Sequence, residues 1–497
     1  MKFYTDVFIH NGKICCSSYE NGEKKFIKKN YCPELYILTN KNTGFKDIFN
    51  ENLEPIGFNS ISEYNQYKKN YKDTLDLYGD ISPIYQFINE KFPKKIKFNI
   101  SDIRIFLYDI EVINIYNDSK LKGFPQPQNA EVPIVGITIK DLKSKTIWVL
   151  SLVDYDPKKT KLELDGDVKF KKFNTEEELL IATIKIFEKF RPDILLGWYN
   201  KNFDDSYLIH RMLKILPENI VKKLSPVGYV DVSFNENKAG KIEPKTVIKG
   251  LQILDYIELY KKFIPAGRES YSLNFISSYE LGEEKIKYQD FDNLKDFYLN
   301  DPQNATDYNI YDVELIDLLE KKLGLISLAI TIAYKAKINY EDIFSPLKTW
   351  DVIIFNELKE KNIIIPPHKY NLKENYPGAF VLEPTPGIYD WVMTFDLASL
   401  YPHCIMQYNI SPETIVNKTE DVNQKEIDKR FLNKEINIDK NLILSGSGQY
   451  FRKDKRGFLP ILMEQFYNER KIIKKQMLKN KQKYEEINEE LKKRGIL

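Results

Sequence analysis

The run IRIFLYDIEVI, residues 103–113, constrains this chain more than any other segment. It is apolar enough to read as a strand inside a sheet, yet it carries Asp109 and Glu111 two positions apart. On a strand that spacing points both carboxylates to one face. Acids on a central strand need a cation or metal partner to offset their desolvation. A solvent-facing pair on a half-exposed strand is the plainer alternative for so short a triplet. The fold must therefore bring either water or positive charge to that face.

Around this strand the sequence alternates strand-like and helix-like segments. VPIVGITI and TIWVLSLV read as strands, and a helical pattern runs from about Glu176 to Phe190. ILLGW (194–198) reads as a strand leading through a polar turn into a helix over 206–216, and a further helix covers roughly Ala305–Leu323. This spacing argues for a mixed α/β domain of about 220 residues. Before it, residues 1 to about 104 give short β-like runs (FYTDVFIH, ELYILTN) and a helical stretch near Ser82–Phe92. After it come helical segments to about Leu358, a Pro- and Gly-marked boundary at 363–380, a strand expected over 389–402, and a long Lys/Glu-rich helix from Pro460. With 497 residues the chain is long enough for three or so domains, an α/β (α+β) multidomain protein.

Bulk charge decides little, because 74 basic and 72 acidic residues leave a net charge of only +2. The four cysteines (Cys15, Cys16, Cys32, Cys404) show no zinc spacing and predict neither structural zinc nor disulfides, as expected in a reducing cytoplasm. No apolar run of about 18 residues predicts a membrane span.

Two further acids extend the Asp109/Glu111 pair. Asp204 falls where a strand ends and a helix begins, where a helix N-cap or first-turn acid is the plainer reading. Asp312 lies in a helix with Tyr308 one turn earlier on the same face, and a solvated helix acid is its plainer reading. Together, a D-x-E strand, a strand-end Asp and a helical Tyr-x-x-x-Asp suit phosphodiester hydrolysis with two divalent ions about 4 Å apart. An all-oxygen ligand set favours Mg2+ or Mn2+. Tyr308 would then orient water or the scissile phosphate.

YDIEV (108–112), GWYNKNFDDSYLI (197–209) and YNIYDVELI (308–316) resemble the exonuclease motifs of family B DNA polymerases. The resemblance implies a DEDDy-type 3′→5′ exonuclease on an RNase H-like fold, with Asp109, Glu111, Asp204 and Asp312 as metal ligands and Tyr308 assisting. In one departure, Tyr199 stands where the family usually has Asn.

TFDLASLYPHCIMQYNISPET (394–414) places Asp396 at the end of its expected strand, followed by Ser399, Leu400, Tyr401 and Pro402. It resembles the D-x-x-S-L-Y-P motif of the family B palm. That implies Asp396 and the Leu397 carbonyl as metal ligands, Ser399, Leu400 and Tyr401 as a triphosphate cradle, and Tyr401 as steric gate. His403 replaces the small residue usual there, and YPGAF (376–380) resembles the family's short motif between exonuclease and palm. Arg470 and Lys474 share a helix face; a solvated surface is the plainer reading, and the family resemblance makes this the first fingers helix, with both cations reaching the incoming triphosphate.

LYKKF (259–263), GLISLAITIAYKAK and SPLKTWDVIIFNELK (345–359) are similar to the replicative polymerases of T-even-type bacteriophages, a likeness extending with gaps over nearly the whole chain. The remaining fingers, palm and thumb motifs of the family do not occur. The expectation is a split polymerase subunit that proofreads and supplies half a palm, with DNA primer-template, a single-stranded 3′ end, dNTP and a second polymerase chain as partners. It would work with two Mg2+ or Mn2+ ions per site in the cytoplasm of a bacterial host, and its N-terminal domain could bind RNA. A stand-alone exonuclease with a vestigial palm and a non-enzymatic nucleic-acid-binding regulator are the alternatives. The expected division is an N-terminal domain over 1–104 with 328–370, the exonuclease over 105–327, a partial palm over 371–456 and the start of the fingers over 457–497.

Overall fold

A computed structural model of the chain describes residues 1–114, 125–236, 240, 242–286, 291–367, 381–419, 429–430, 432–434 and 439–495. It forms two units, Met1–Phe45 with Asn52–Pro367, and Lys46–Glu51 with His368–Leu497. α-Helices and β-sheets are mixed throughout.

Among its N-terminal strands the first unit has β1 (Lys2–His10), β2 (Lys13–Glu20) and β3 (Glu23–Lys29), joined as an antiparallel sheet. Its larger sheet uses β4 (Ile105–Val112), β5 (Ile134–Asp141), β6 (Thr146–Ser151), β7 (Asp167–Lys172), β8 (Ile194–Gly197) and β9 (Gln252–Asp255). Their order is β7-β6-β5-β4-β8-β9. β5 is buried along its whole length, as a strand covered on both faces must be.

The register fixes which side chains share a face. Tyr108, Ile139, Trp148 and Lys169 stand on one rung, and Asp109, Thr138, Val149 and Phe170 on the next. Adjacent rungs point to opposite faces. One face carries Phe106, Tyr108, Ile110 and Ile139 beneath α1 (Glu176–Phe190) and α2 (Asp204–Ile215). The other packs Ile147 and Val149 against Ile310 of α3 (Pro302–Leu323).

Local signals set the helix ends. Thr175 caps α1 by accepting from the Glu178 N–H, three glutamates fill its first turn, and Arg191 in the left-handed region closes it. α3 begins with the Asp301 cap and Pro302 and stops at Gly324, whose φ of +64° suits the left-handed C-terminal position. Polar pairs then fix α3 on the sheet. The Lys140 ammonium, 1% exposed, donates to Glu314 and Asp317 at 2.6 Å each. Tyr155 donates to Asp307 at 2.8 Å, and Thr138 bonds Asn309.

The small N-terminal sheet is latched to the larger one. Asp193, just before β8, accepts from Thr5 and Tyr19 at 2.8 Å each and pairs with Lys24 at 2.7 Å. α4 (Leu325–Ala336) and α5 (Pro346–Lys359) follow, and the Tyr4 hydroxyl donates to the Ile338 carbonyl just past α4.

In the second unit α6 (Leu400–Tyr408) packs on the start of α7 (Phe458–Lys493), where the His403 and Tyr467 rings meet edge to face at 4.7 Å. The strand expected over 389–402 is not formed. Residues 381–397 have no regular secondary structure, and Leu400 begins a helix. Among the described residues the apolar pattern there pairs with no strand, and the three-stranded sheet described in this unit joins Ile415–Thr419, Gln449–Arg452 and Leu442–Leu444. YPGAF (376–380) lies outside the described residues. All four cysteines are free, and no described helix is long and apolar enough to cross a membrane.

Candidate active site

β4 presents Asp109 and Glu111 to the α3 side of the sheet, because the Asp109 rung faces opposite to the Tyr108 rung. α3 lies on that face and carries Tyr308 and Asp312 one turn apart. Asp204 opens α2 after a tight turn from β8. At Gly197 a Cβ would stand 2.9 Å from the Tyr108 carbonyl, so only glycine lets β8 come this close to β4 there. Tyr199 then takes φ +67° and donates its N–H to Asp255 at 2.9 Å. Tyr108 and Asn200 both bond Asp205.

Glu111, Asp204 and Asp312 are buried and Asp109 is half-buried, and the four feel one another. Burial, and next the Asp312 charge, push Asp109 up to about 7, while Lys285 and Asn309 oppose the shift. Burial followed by the charges of Asp109 and Asp312 holds Glu111 well above the usual carboxylate range. Burial, then Asp109 and Asp205, do the same to Asp204. Burial also raises Asp312, with Lys285 opposing. Such a cluster is a store of electrostatic repulsion that a cation relieves.

The positive charge found there is Lys285, which sequence reasoning missed. Its ammonium donates to Asp312 at 2.5 Å and to the Tyr308 hydroxyl at 3.2 Å, and sits 5.0 Å from the centre of the Tyr308 ring. Burial opposes the Lys285 charge, but Asp312 and Tyr308 outweigh it and raise its pKa. No pattern in ELGEEKIKY marks this lysine. The signal was indirect: a cluster of largely buried acids calls for a cation nearby.

The residues suit divalent metal in donor type. The set is all hard oxygen, and the buried Asp312 Oδ1 has no hydrogen-bond partner among the described residues. Among the described residues no three His, Cys, Asp or Glu side chains are already gathered at metal-holding spacing. Asp109, Glu111 and Asp312 feel the Lys285 ammonium and Asp204 feels Asp109, and a bound ion would have to draw the four together.

The other candidate residues lie in the second unit. Leu397 and Tyr401 are 71% and 77% exposed, Asp396 is exposed, and Ser399 takes φ +54° before Leu400 opens α6. Arg470 and Lys474 are exposed one turn apart on α7. Asp396, Arg470 and Lys474 make no ion pair among the described residues. The packing of α6 on α7 joins the two segments, and His403 has a structural role there against Tyr467.

A profile described as "DNA polymerase family B, exonuclease domain" matches residues 48–276, and one described as "DNA polymerase family B" matches 348–492. The chain is 32% identical over 494 residues to the DNA-directed DNA polymerase of Escherichia phage RB69, covering 95% of this chain and 53% of that protein. It is 31% identical over 499 residues to the DNA-directed DNA polymerase of Enterobacteria phage T4, covering 96% and 54%. A DNA polymerase delta catalytic subunit of Oryza sativa subsp. japonica is 28% identical over 327 residues, covering 63% and 28%. The chain thus spans about half the length of the phage relatives it matches.

Proposed function

The chain belongs to family B of the DNA polymerases, of the branch that includes the T4 and RB69 enzymes, and on that premise we propose that it removes nucleotides from single-stranded 3′ ends of DNA. The observation that carries this reading is the set of four mutually perturbed acids: Asp109, Glu111 and Asp312 on the α3 side of the sheet, and Asp204 at the start of α2, whose charge state depends on that of Asp109. In this reading the six-stranded sheet with its helices is an RNase H-like exonuclease over 105–327, and an N-terminal domain over 1–104 with 328–370 packs beside it.

Asp109, Glu111, Asp204 and Asp312 would hold Mg2+ or Mn2+, two ions in the full site. Bound divalent ions would polarise the attacking water and offset the charge leaving on the 3′ oxygen. The chain's own residues do the rest. Asn309 holds Asp109 by a 2.7 Å bond, so that acid keeps one orientation. The Tyr308 hydroxyl can donate to water or a phosphate oxygen once Lys285 shifts. Released from Asp312, the Lys285 ammonium can face the scissile phosphate from within the site.

For the second unit we propose half of a polymerising site, a partial palm over 371–456 and the start of the fingers over 457–497. Asp396 and the Leu397 carbonyl would serve a metal ion, Ser399 to Tyr401 the triphosphate, and Arg470 and Lys474 its outer phosphates. The remaining palm, fingers and thumb, on whatever polypeptide carries them, would complete it in the cytoplasm of a bacterial host. The apolar side chains of Ile473, Met477, Tyr484 and Ile487, exposed along α7, support a helix-shaped partner.

The test of the nuclease is a 5′-labelled single-stranded oligonucleotide incubated with the 497-residue chain. Shortening from the 3′ end in Mg2+, halted by EDTA and lost in Asp204→Ala, is expected. Equal cleavage by Asp204→Ala, or none by the unaltered chain, overturns the proposal.

A further inference from the structure

The sheet face opposite the acids carries a second candidate site. Trp148 of β6 stands beside Lys169 of β7 on the rung that also holds Tyr108, so both point away from Asp109 and Glu111. Beside them, at its C-terminal end, α1 carries Lys185, Lys189 and Phe190. Together with Thr146 these residues line an open trough of about 550 Å³. Its floor is aromatic: the Trp148 and Phe190 rings are 4.8 Å apart, tilted by 40°. Its rim is cationic, with the Lys189 ammonium 5.3 Å from the centre of the Phe190 ring.

Most lysines elsewhere on this sheet are engaged. Lys140, Lys145 and Lys172 each hold a carboxylate at 2.6–2.7 Å. Lys185 and Lys189 form no ion pair among the described residues, and Lys169 has only a 4.0 Å contact to Asp167 with both side chains largely exposed. Lysines on an edge strand such as β7 commonly guard against strand-to-strand association. That explains Lys169 but not Lys185 and Lys189, which come from a helix one turn apart and flank the same aromatic floor.

We propose that this trough binds single-stranded nucleic acid, the three ammoniums taking successive backbone phosphates and Trp148 receiving a sugar or base. Unpaired lysines around an aromatic floor match how strands are held without sequence preference. Lysines act as point charges on phosphates, whereas a carboxylate-rich peptide is matched best by the fork of arginine, which the trough's rim lacks. The site lies across the sheet from Asp109, Glu111 and Asp312, so it holds a part of a strand other than the 3′ end being trimmed.

The probe is a fluorescein-labelled circular oligothymidylate in EDTA, which offers no 3′ end and permits no cleavage. Anisotropy titrations would compare the unaltered chain with Lys169→Gln/Lys185→Gln/Lys189→Gln, all exposed positions. The triple variant is expected to bind roughly tenfold or more weakly at moderate salt, with the log–log salt slope reduced by about 2, since each single-strand phosphate contact contributes about 0.7. Tryptophan quenching by the circle should also diminish in Trp148→Phe, with its thermal melt showing that this variant remains folded. A linear oligouridylate bound with the same slope supports backbone recognition shared by DNA and RNA. Unchanged affinity and slope in the triple variant overturn the proposal. So does selective, lysine-dependent binding of a Glu-rich peptide with no lysine-dependent binding of either nucleic acid.

Discussion

Replacing Lys140 should loosen the helix that carries Tyr308 and Asp312 of the acid site. Its ammonium is 1% exposed and is held by Glu314 and Asp317 at 2.6 Å each, so Lys140→Met leaves carboxylates buried without their partner. Asp317 keeps a second cation, Lys321, at 2.8 Å, whereas Glu314 is also 1% exposed and has no other ion pair among the described residues. Breaking one partner of a buried pair costs about 3–5 kcal/mol, and the Lys321 contact places this case near the lower end, about 3 kcal/mol. With a urea m-value of about 3 kcal/mol/M the midpoint should fall by about 1 M at unchanged slope. Lys140→Met/Glu314→Leu removes the stranded charge as well and should recover most of that loss. Urea unfolding followed by far-UV circular dichroism reads both. A loss below about 1 kcal/mol for the single variant, or a double variant as unstable as the single, would refute the argument that this ion cluster seats α3.

Other outcomes follow from the same structure. Burial, and then the Glu341 charge, push Asp6 up to about 8 against the hydrogen bonds of Gly250 and Gln252. A raised carboxylate pKa gives stability that is full below pH about 4 and lost as pH rises towards 8. Asp6→Asn should therefore gain stability over the unaltered chain progressively across that window, and parallel melting-temperature curves would contradict this. Tyr199 sits at φ +67°, a region Asn tolerates better, so Tyr199→Asn should stabilise by about 1 kcal/mol in denaturant titration; a lowered midpoint speaks against it. Lys285→Met removes a charge-assisted contact worth about 1.5–3 kcal/mol and should slow 3′-end removal about tenfold or more, measured by single-turnover cleavage; an unchanged rate shows that Lys285 is a bystander. In primer extension the chain alone should add no nucleotide, and extension should require a polypeptide carrying the remaining palm and be lost in Asp396→Ala. Extension by the chain alone would show that Asp396 needs no partner carboxylate from elsewhere.

What the sequence made legible were features encoded locally. The apolar run across IFLYDIEV and the helical patterns over 176–190 and 305–323 are set within a few residues, and the elements stand close to where those patterns put them. The pairing of Asp109 and Glu111 on one face followed from strand geometry alone. Lys285 could not be read this way, because its role depends on a contact across 27 residues to Asp312. Asp193 was equally silent: it looks like an ordinary acid before a strand, yet Thr5, Tyr19 and Lys24 converge on it from the N-terminal sheet. Residues 389–402 failed for the opposite reason, since an apolar alternation specifies a strand only when a neighbouring strand supplies the hydrogen bonds.

Anomalous diffraction from crystals soaked in Mn2+ bears most directly on the acid cluster. Mn2+ density touching carboxylate oxygens of Asp109, Glu111, Asp204 and Asp312, with the Lys285 ammonium moved off Asp312, is the expected result. Crystals in which Lys285 keeps its contact with Asp312 and no Mn2+ peak lies among these four acids would contradict the account.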